Sequence, residues 1–323
     1  MDTQAPDNQA GRIIVVGSLN ADLTIYTRRL PAPGETLHGE GFTVNPGGKS
    51  ANQAVAAGKL GGNVALVGAV GRDANGTMLL ESCAAAGVDV SQVRRAEGVE
   101  TGVAVVTVDA HGENSIVISA GANGTLSPAD VEAAAAAFEG AAVLCLCLEV
   151  GLETVEAAAR AGADAGAKVL LNLSPYAPIP ASLARLSDVL LVNAHEASQF
   201  LGGERIPEPD AEASAWEPVL EHLVARGLPS AVVTLGAEGS VVLDSTAETG
   251  KRIVRISPTR VDAVDTTGAG DAFTGGLAAR LAAGDALADA AAFASVGAAL
   301  AATRKGTQAA YPDAAAVNAR LNA

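Results

Sequence analysis

The sequence predicts an α/β fold: a mostly parallel central sheet with helices on both faces, plus a small antiparallel β lid. Three observations predict it. Short runs rich in β-branched residues and leucine recur at 13–16, 64–67, 143–148, 169–173, 189–192 and 231–234, and by length and composition they are buried strands. Alanine-rich segments with helical spacing lie between them, at 51–60, 128–138, 152–165 and 216–226, and such alternation places successive strands parallel with helices covering the sheet. Two segments, 21–45 and 101–119, break the rhythm with alternating polarity and turn residues. They read as antiparallel strands, separate from the core, over one edge of the domain.

Taken in order, residues 1–11 are polar and lack an apolar signal core, so they are expected to form a disordered tail before one domain spanning 12–323. The first strand leads into Asn20 and Asp22, and the lid is expected from about 21–45 and 98–120, with a hairpin around 109–113. Ser127 followed by Pro128 is an N-cap and first-turn pair. Cys145-Leu-Cys147 lies inside an apolar run and reads as two small residues of a buried strand, not as a metal or redox pair. That strand ends at Glu149, the strand at 189–192 ends at Asn193, and the strand at 231–234 runs into Gly236. In open α/β sheets ligands bind beyond the carboxyl ends of the strands, so these residues should converge on one crevice. Met78, Trp216 and His222 read as packing or surface, and Gly227 after Arg226 as a helix stop.

Composition narrows the class of function. In 323 residues, 21 Lys and Arg face 36 Asp and Glu for a formal charge of −15, which argues against bulk nucleic-acid binding and anionic membrane surfaces. Three cysteines, an odd number, fit a reducing cytoplasm, and no apolar run reaches membrane-spanning length. An acidic chain that holds a polyanion such as ATP needs local backbone donors and a metal ion.

Four motifs carry chemistry. Asp265-Thr-Thr-Gly-Ala-Gly-Asp271-Ala-Phe leads into an alanine- and glycine-rich helix; the N–H groups of Gly268, Ala269 and Gly270 at its start would make an anion hole with the macrodipole behind it. Asp271 then stands in the first turn, where a carboxylate is either a cap or a functional group. Asn45-Pro-Gly-Gly-Lys-Ser-Ala-Asn52 imitates a Walker A ending, but residue 43 is Thr where that pattern has its first glycine. It reads as a glycine turn before a helix, which lets the backbone approach a small ligand with Lys49 and Asn52 as donors. Asn193-Ala-His-Glu196 places an amide and a carboxylate three residues apart, either to order the water shell of Mg²⁺ or as an ordinary capping pattern, with His195 at the surface. Thr234-Leu235-Gly236-Ala237-Glu238-Gly239 links two strands, and its glycines suit a turn against a flat base or a phosphate.

With GGKSANQAVAAGKLG and DTTGAGDAF together, the chain resembles the ribokinase-like (PfkB-type) family of carbohydrate and nucleoside kinases from about residue 12 to 312. SLNAD, LPAPGET, AGAN and TRKGTQ look most like its ribose-specific branch. The resemblance implies ATP-dependent phosphorylation of the 5-hydroxyl of D-ribose, with relatives acting on deoxyribose, fructose, a ketosugar acid or a nucleoside, and a non-catalytic sugar-binding regulator, as the alternatives. It implies that Asn20, Asp22, Gly48, Lys49, Asn52 and Glu149 hold the sugar, that Asp271 is the catalytic base, and that Asn193, 234–239, Gly270 and Ser295 line the ATP site. It also implies Mg²⁺, a K⁺ site at Asp265, Thr267, Ala301, Arg304, Gly306 and Ala310, and a homodimer formed through the lid. Three positions depart from the family: Ser50 for a common Gly, Ser295 for a ring or amide near the adenine, and Ala310 for the usual Ser of the cation site.

Overall fold

The computed structural model describes residues 11–322. The expected tail at 1–10 lies outside them, and Gly11 belongs to the domain, donating its N–H to Ala282 O at 2.9 Å. The chain opens with β1 (Arg12–Val16), β2 (Asn20–Tyr26), β3 (Gly41–Gly47), α1 (Lys49–Lys59), β4 (Asn63–Gly71), α2 (Ala74–Ala85) and β5 (Asp89–Ala96). Next come β6 (Gly102–Val108), β7 (Asn114–Ser119), α3 (Pro128–Ala133), α4 (Ala135–Phe138), β8 (Ala141–Leu146), α5 (Leu152–Asp164), β9 (Lys168–Asn172) and α6 (Ala181–Leu186). The remainder is β10 (Val189–Asn193), α7 (Ala194–Phe200), α8 (Glu217–Ala225), β11 (Ser230–Thr234), β12 (Ser240–Asp244), β13 (Ile253–Ile256), α9 (Ala269–Ala282), α10 (Leu287–Ala301) and α11 (Ala314–Leu321).

Nine strands form the main sheet in the order β13-β12-β11-β10-β9-β8-β1-β4-β5. All neighbours pair in parallel except β12 with β11 and β13, which close one edge as an antiparallel meander. Side chains alternate between two buried layers, as the two-residue period of a strand requires. Ile14, Val16, Leu144, Leu146, Leu171 and Leu190 enter one layer, while Ile13, Val15, Val143, Cys145, Leu170 and Leu191 enter the other. Both faces are therefore dry, which is why these strands read as continuous apolar runs.

The small sheet has the order β3-β2-β6-β7. Its outer pairs are antiparallel, and the expected hairpin turns with Asp109 N–H on Glu113 O at 2.9 Å. Its central pair, β2 with β6, is parallel, because β2 follows β1 and β6 follows β5, two strands of the main sheet that run the same way. Ser127 caps α3 in a box with Asp130, but the single helix expected over 128–138 breaks at Ala134. Cys145 and Cys147 are fully buried free thiols whose pKa burial pushes up to about 12. Trp216 is core, 1% exposed. Among the described residues no helix is long and apolar enough to cross a membrane.

Candidate active site

Two helix N-termini meet at the carboxyl edge of the sheet. α1 begins after Gly48, whose φ of +87° is open to glycine and whose hypothetical Cβ would lie 2.6 Å from Asn20 N, so only glycine lets this turn rest on β2. α9 begins after Gly268 and packs directly on α1: a Cβ on Gly275 would sit 2.6 Å from both Gln53 O and Ala56 Cβ. This backbone-level contact brings the first turn of α1 onto Asp271. Asn52 Nδ2 donates to Asp271 Oδ2 at 3.0 Å, and Gln53 Nε2 donates to Oδ1 at 3.0 Å.

Asp271 is 7% exposed. Burial raises its pKa, and Lys49 with the two amides pulls it back without cancelling the rise. Behind it, the expectation of three successive free N–H groups is corrected. Ala269 N–H closes a turn onto Thr266 O at 3.1 Å, so among the described residues it is Gly268 and Gly270 that keep backbone donors without protein partners. Both line, with Asp271, a cavity of ≈ 190 Å³ that also receives Lys49, Asn172, Asn193, Glu196 and Thr234.

Asp22 and Glu149, two of the residues expected to hold the sugar, lie close enough to Asp271 to share its field. Asn20 is 3% exposed, and its Oδ1 accepts from Asn123 Nδ2 at 2.8 Å, leaving its own amide as a donor. Asp22 stands two residues along the same strand face as a neighbouring acceptor. Burial, then Glu149 and Asp271, push its pKa up to about 7. Glu149 Oε2 accepts from Ser18 Oγ at 2.6 Å and from Lys49 N–H at 3.0 Å, so it pins the glycine turn. Burial would lower the pKa of Lys49, but Asp271 and Glu149 outweigh it and raise it.

On the opposite side, Asn193 and Glu196 form a reciprocal cap: Asn193 Oδ1 accepts from Glu196 N–H at 2.8 Å, and Glu196 Oε2 from Asn193 N–H at 2.9 Å. Both also reach the cavity, so the cap leaves the ligand reading open, and among the described residues Glu196 Oε1 has no hydrogen-bond partner. His195 is exposed. Of 234–239, Thr234 alone lines the cavity; Leu235, Gly236, Ala237, Glu238 and Gly239 form a tight turn with Leu235 N–H on Gly239 O at 2.8 Å. Ser295 lies on α10, partly exposed and outside the cavity lining.

Asp265 draws two loops together, accepting from Thr267 N–H and Gly306 N–H at 3.0 Å each. Burial opposes its charge, but these hydrogen bonds prevail and lower its pKa. Ala301 and Arg304 are joined by a backbone hydrogen bond of 3.2 Å at the end of α10. A carboxylate held in its charged form and backbone carbonyls are hard oxygens, the ligand type that hard cations take. Among the described residues no three His, Cys, Asp or Glu cluster so as to hold a metal ion.

Sequence reasoning passed over Gln53, Asn123, Asn172 and Gln308. Asn172 ends β9 at the carboxyl edge, the same signal that exposed Asn193. Gln53 and Gln308 lie inside quoted motifs, and only the tertiary contact gives them a partner.

The sequence profile of the pfkB family carbohydrate kinases matches residues 10–314. The ribokinase of Schizosaccharomyces pombe is 36% identical, covering 96% of this chain and 98% of the relative. The deoxyribokinase of Salmonella typhimurium is also 36% identical, covering 96% and 98%. The solved structure of Arabidopsis thaliana ribokinase complexed with ribose and ATP is 31% identical and superposes with a TM-score of 0.86 over 97% of this chain and 99% of that one.

Proposed function

The chain belongs to the pfkB family of carbohydrate kinases, and on that footing we propose that it is an ATP-dependent ribokinase, converting D-ribose to ribose 5-phosphate. One observation carries the reading: the buried carboxylate of Asp271 lines one cavity with two backbone donors of a helix N-terminus, in one charge cluster with Asp22 and Glu149. Asp271 takes the proton of the primary hydroxyl as its oxygen attacks the γ-phosphorus. The Gly268 and Gly270 N–H groups, with the α9 dipole behind them, stabilise charge developing on the transferred group. Lys49 places an ammonium in the same cavity, and Glu149 holds the turn from which it projects.

Asn20 as donor and Asp22 as acceptor suit adjacent ring hydroxyls, and the small sheet that carries Asp22 covers the sugar against water, the competing acceptor. Asn193, the 234–239 turn and Ser295 are assigned to the nucleotide. Asn193 and Glu196 would order the water shell of Mg²⁺, which when bound neutralises phosphate charge. Asp265, with carbonyls of Thr267, Ala301, Arg304, Gly306 and Ala310, would hold K⁺, whose fixed charge stiffens the turn before Gly268. The enzyme is assigned to the cytoplasm as a homodimer. Register supports the dimer: Phe42, Val44, Val105 and Val117 share the face of the small sheet opposite Asp22 and are all exposed.

The deoxyribokinase relative supports a second reading, 2-deoxyribose as the preferred acceptor. Steady-state rates with Mg·ATP on ribose, 2-deoxyribose, fructose and adenosine separate them. Ribose should lead in kcat/KM over 2-deoxyribose, because a deleted hydroxyl leaves a buried partner unsatisfied at about 1–3 kcal/mol. Equal values transfer the assignment to the second reading, and preference for fructose or adenosine ends both.

A further inference from the structure

We propose that Gln53 and Gln308 are positioning residues for Asp271, forming with Asn52 an amide clamp that fixes both carboxylate oxygens against the anion hole. The proposal rests on the reading of Asp271 as the base. Gln53 acts directly, at 3.0 Å on Oδ1. Gln308 acts through Asn52: its Nε2 donates to Asn52 Oδ1 at 3.0 Å, while Asn52 Nδ2 donates to Asp271 Oδ2 at 3.0 Å. Gln308 is in turn held at its own Oε1 by Ser82 Oγ at 2.7 Å and at its carbonyl by Lys59 Nζ at 2.6 Å. The chain of contacts therefore runs from α2 through the segment after α10, across α1, to the base on α9.

Packing alone does not call for an amide at position 53. Gln53 is 1% exposed, and its Oε1 is buried without any hydrogen-bond partner. An orphaned buried acceptor is a cost that methionine, of similar volume, would avoid. The oxygen is orphaned because the amide nitrogen must face Asp271; turning the amide over would set its oxygen against the carboxylate. Asn52 has no such freedom either, because Gln308 fixes which end faces Asp271.

Neutral amides hold the carboxylate's charge yet neither give nor take its proton. Each oxygen of Asp271 keeps a further lone pair for the substrate hydroxyl. The other groups around Asp271 are Lys49 on α1, the Cys147 thiol and Glu149 after β8, Asp22 on β2 and the Tyr311 hydroxyl. Burial, Glu149 and Asp22 favour the protonated acid, while Lys49 opposes them from the open side of the cavity. The clamp opposes them from the buried side, where Asn52 is 5% and Gln53 1% exposed.

The test uses Gln53→Met and Gln308→Met in the full chain, with pH profiles of kcat and kcat/KM on ribose and Mg·ATP. The acid limb of kcat should move up by about one pH unit in Gln53→Met, the tenfold expected of one lost hydrogen bond to a charged group, and by less in Gln308→Met, with KM for ATP unchanged. A rate lowered equally at every pH, with the limb in place, overturns the proposal. Should Gln53→Met fail to fold by circular dichroism, Gln308→Met carries the same test. Carbon-13 carboxyl NMR of labelled aspartate reads Asp271 without turnover. If the wild type phosphorylates no sugar but the Asp271 titration still moves in Gln53→Met, the clamp stands and the kinase reading falls. If the titration does not move, the clamp falls whatever the activity.

Discussion

Replacing Asp22 with asparagine removes one of three carboxyls that crowd the sugar side of the site. Burial, then Glu149 and Asp271, raise the Asp22 pKa from 3.8 to about 7. The folded protein therefore binds more protons than the unfolded chain between those values, and stability falls as pH rises through that window. A shift of this size corresponds to at most about 4 kcal/mol, and because Asp22 is coupled to the buried carboxyl of Asp271, the expected gain on removing the charge is about 2–4 kcal/mol. Asparagine preserves the shape, which matters because a Cβ on Gly47 would lie 2.1 Å from Asp22 Oδ2. Urea unfolding of wild type and Asp22→Asn at steps from pH 4 to pH 8.5 measures the effect. The two should coincide near pH 4 and diverge through neutrality, with the variant the more stable at pH 8, while its KM for sugar rises through loss of an acceptor. A stability difference that does not change with pH would refute the reasoning, since only the charge on Asp22 distinguishes the two side chains.

Asp271→Asn should fold and bind sugar but lose about 10²–10⁴ in kcat; retention of more than roughly a tenth of the wild-type value removes Asp271 from the base role. Gly275→Val should force α1 from α9, costing about 1–3 kcal/mol in unfolding free energy and lowering kcat at temperatures where the variant is fully folded. Rates at constant ionic strength in tetramethylammonium, sodium and potassium chlorides should rise with K⁺, Asp265→Ala should abolish that rise, and Ala310→Ser should retain it; one rate in all three salts leaves the cation assignment without support. Val117→Lys, on the exposed face of the small sheet, should convert the dimer to monomer by sedimentation velocity, and a wild-type monomer would contradict the proposed assembly.

The parallel core was legible because its strands are apolar on both faces, so length and composition alone marked β1, β4, β8, β9, β10 and β11. β5 carries Arg94, Arg95 and Asp89 in an eight-residue strand at the sheet edge, and this polarity hid it. An edge strand needs covering on fewer sides, so it gives a weaker signal. The break at Ala134 was hidden for another reason, since alanine fits helix and turn alike. In the site, polar residues after a strand end were readable by rule, which found Asp22, Glu149 and Asn193. Asn172 escaped because Leu173 after it extended the apolar run. The occupied N–H of Ala269 could not be read at all: a glycine-rich sequence says that backbone can turn there, not which donor the turn consumes.

The composition and the site have a common cause in how α1, α9 and α10 meet. Aromatics are 3% of the chain, and the helices that bear the chemistry are built mostly of alanine and glycine. Gly275 lies against α1, and a Cβ on Gly276 would stand 3.2 Å from Ala294 Cα of α10. Small residues bury little apolar area each, but they lose little or no side-chain entropy on folding and let helix backbones touch. The spacing between the first turns of α1 and α9 is then set by backbone contact, with no long side chain whose rotamers could alter it. Misplacement of about 1 Å can cost on the order of 100-fold in rate. Asp271, the Gly268 and Gly270 donors and the amides of Asn52 and Gln53 all sit on those two turns, so the helix contact that stabilises the fold also fixes the distance between the proposed base and the donors proposed to receive the phosphoryl group.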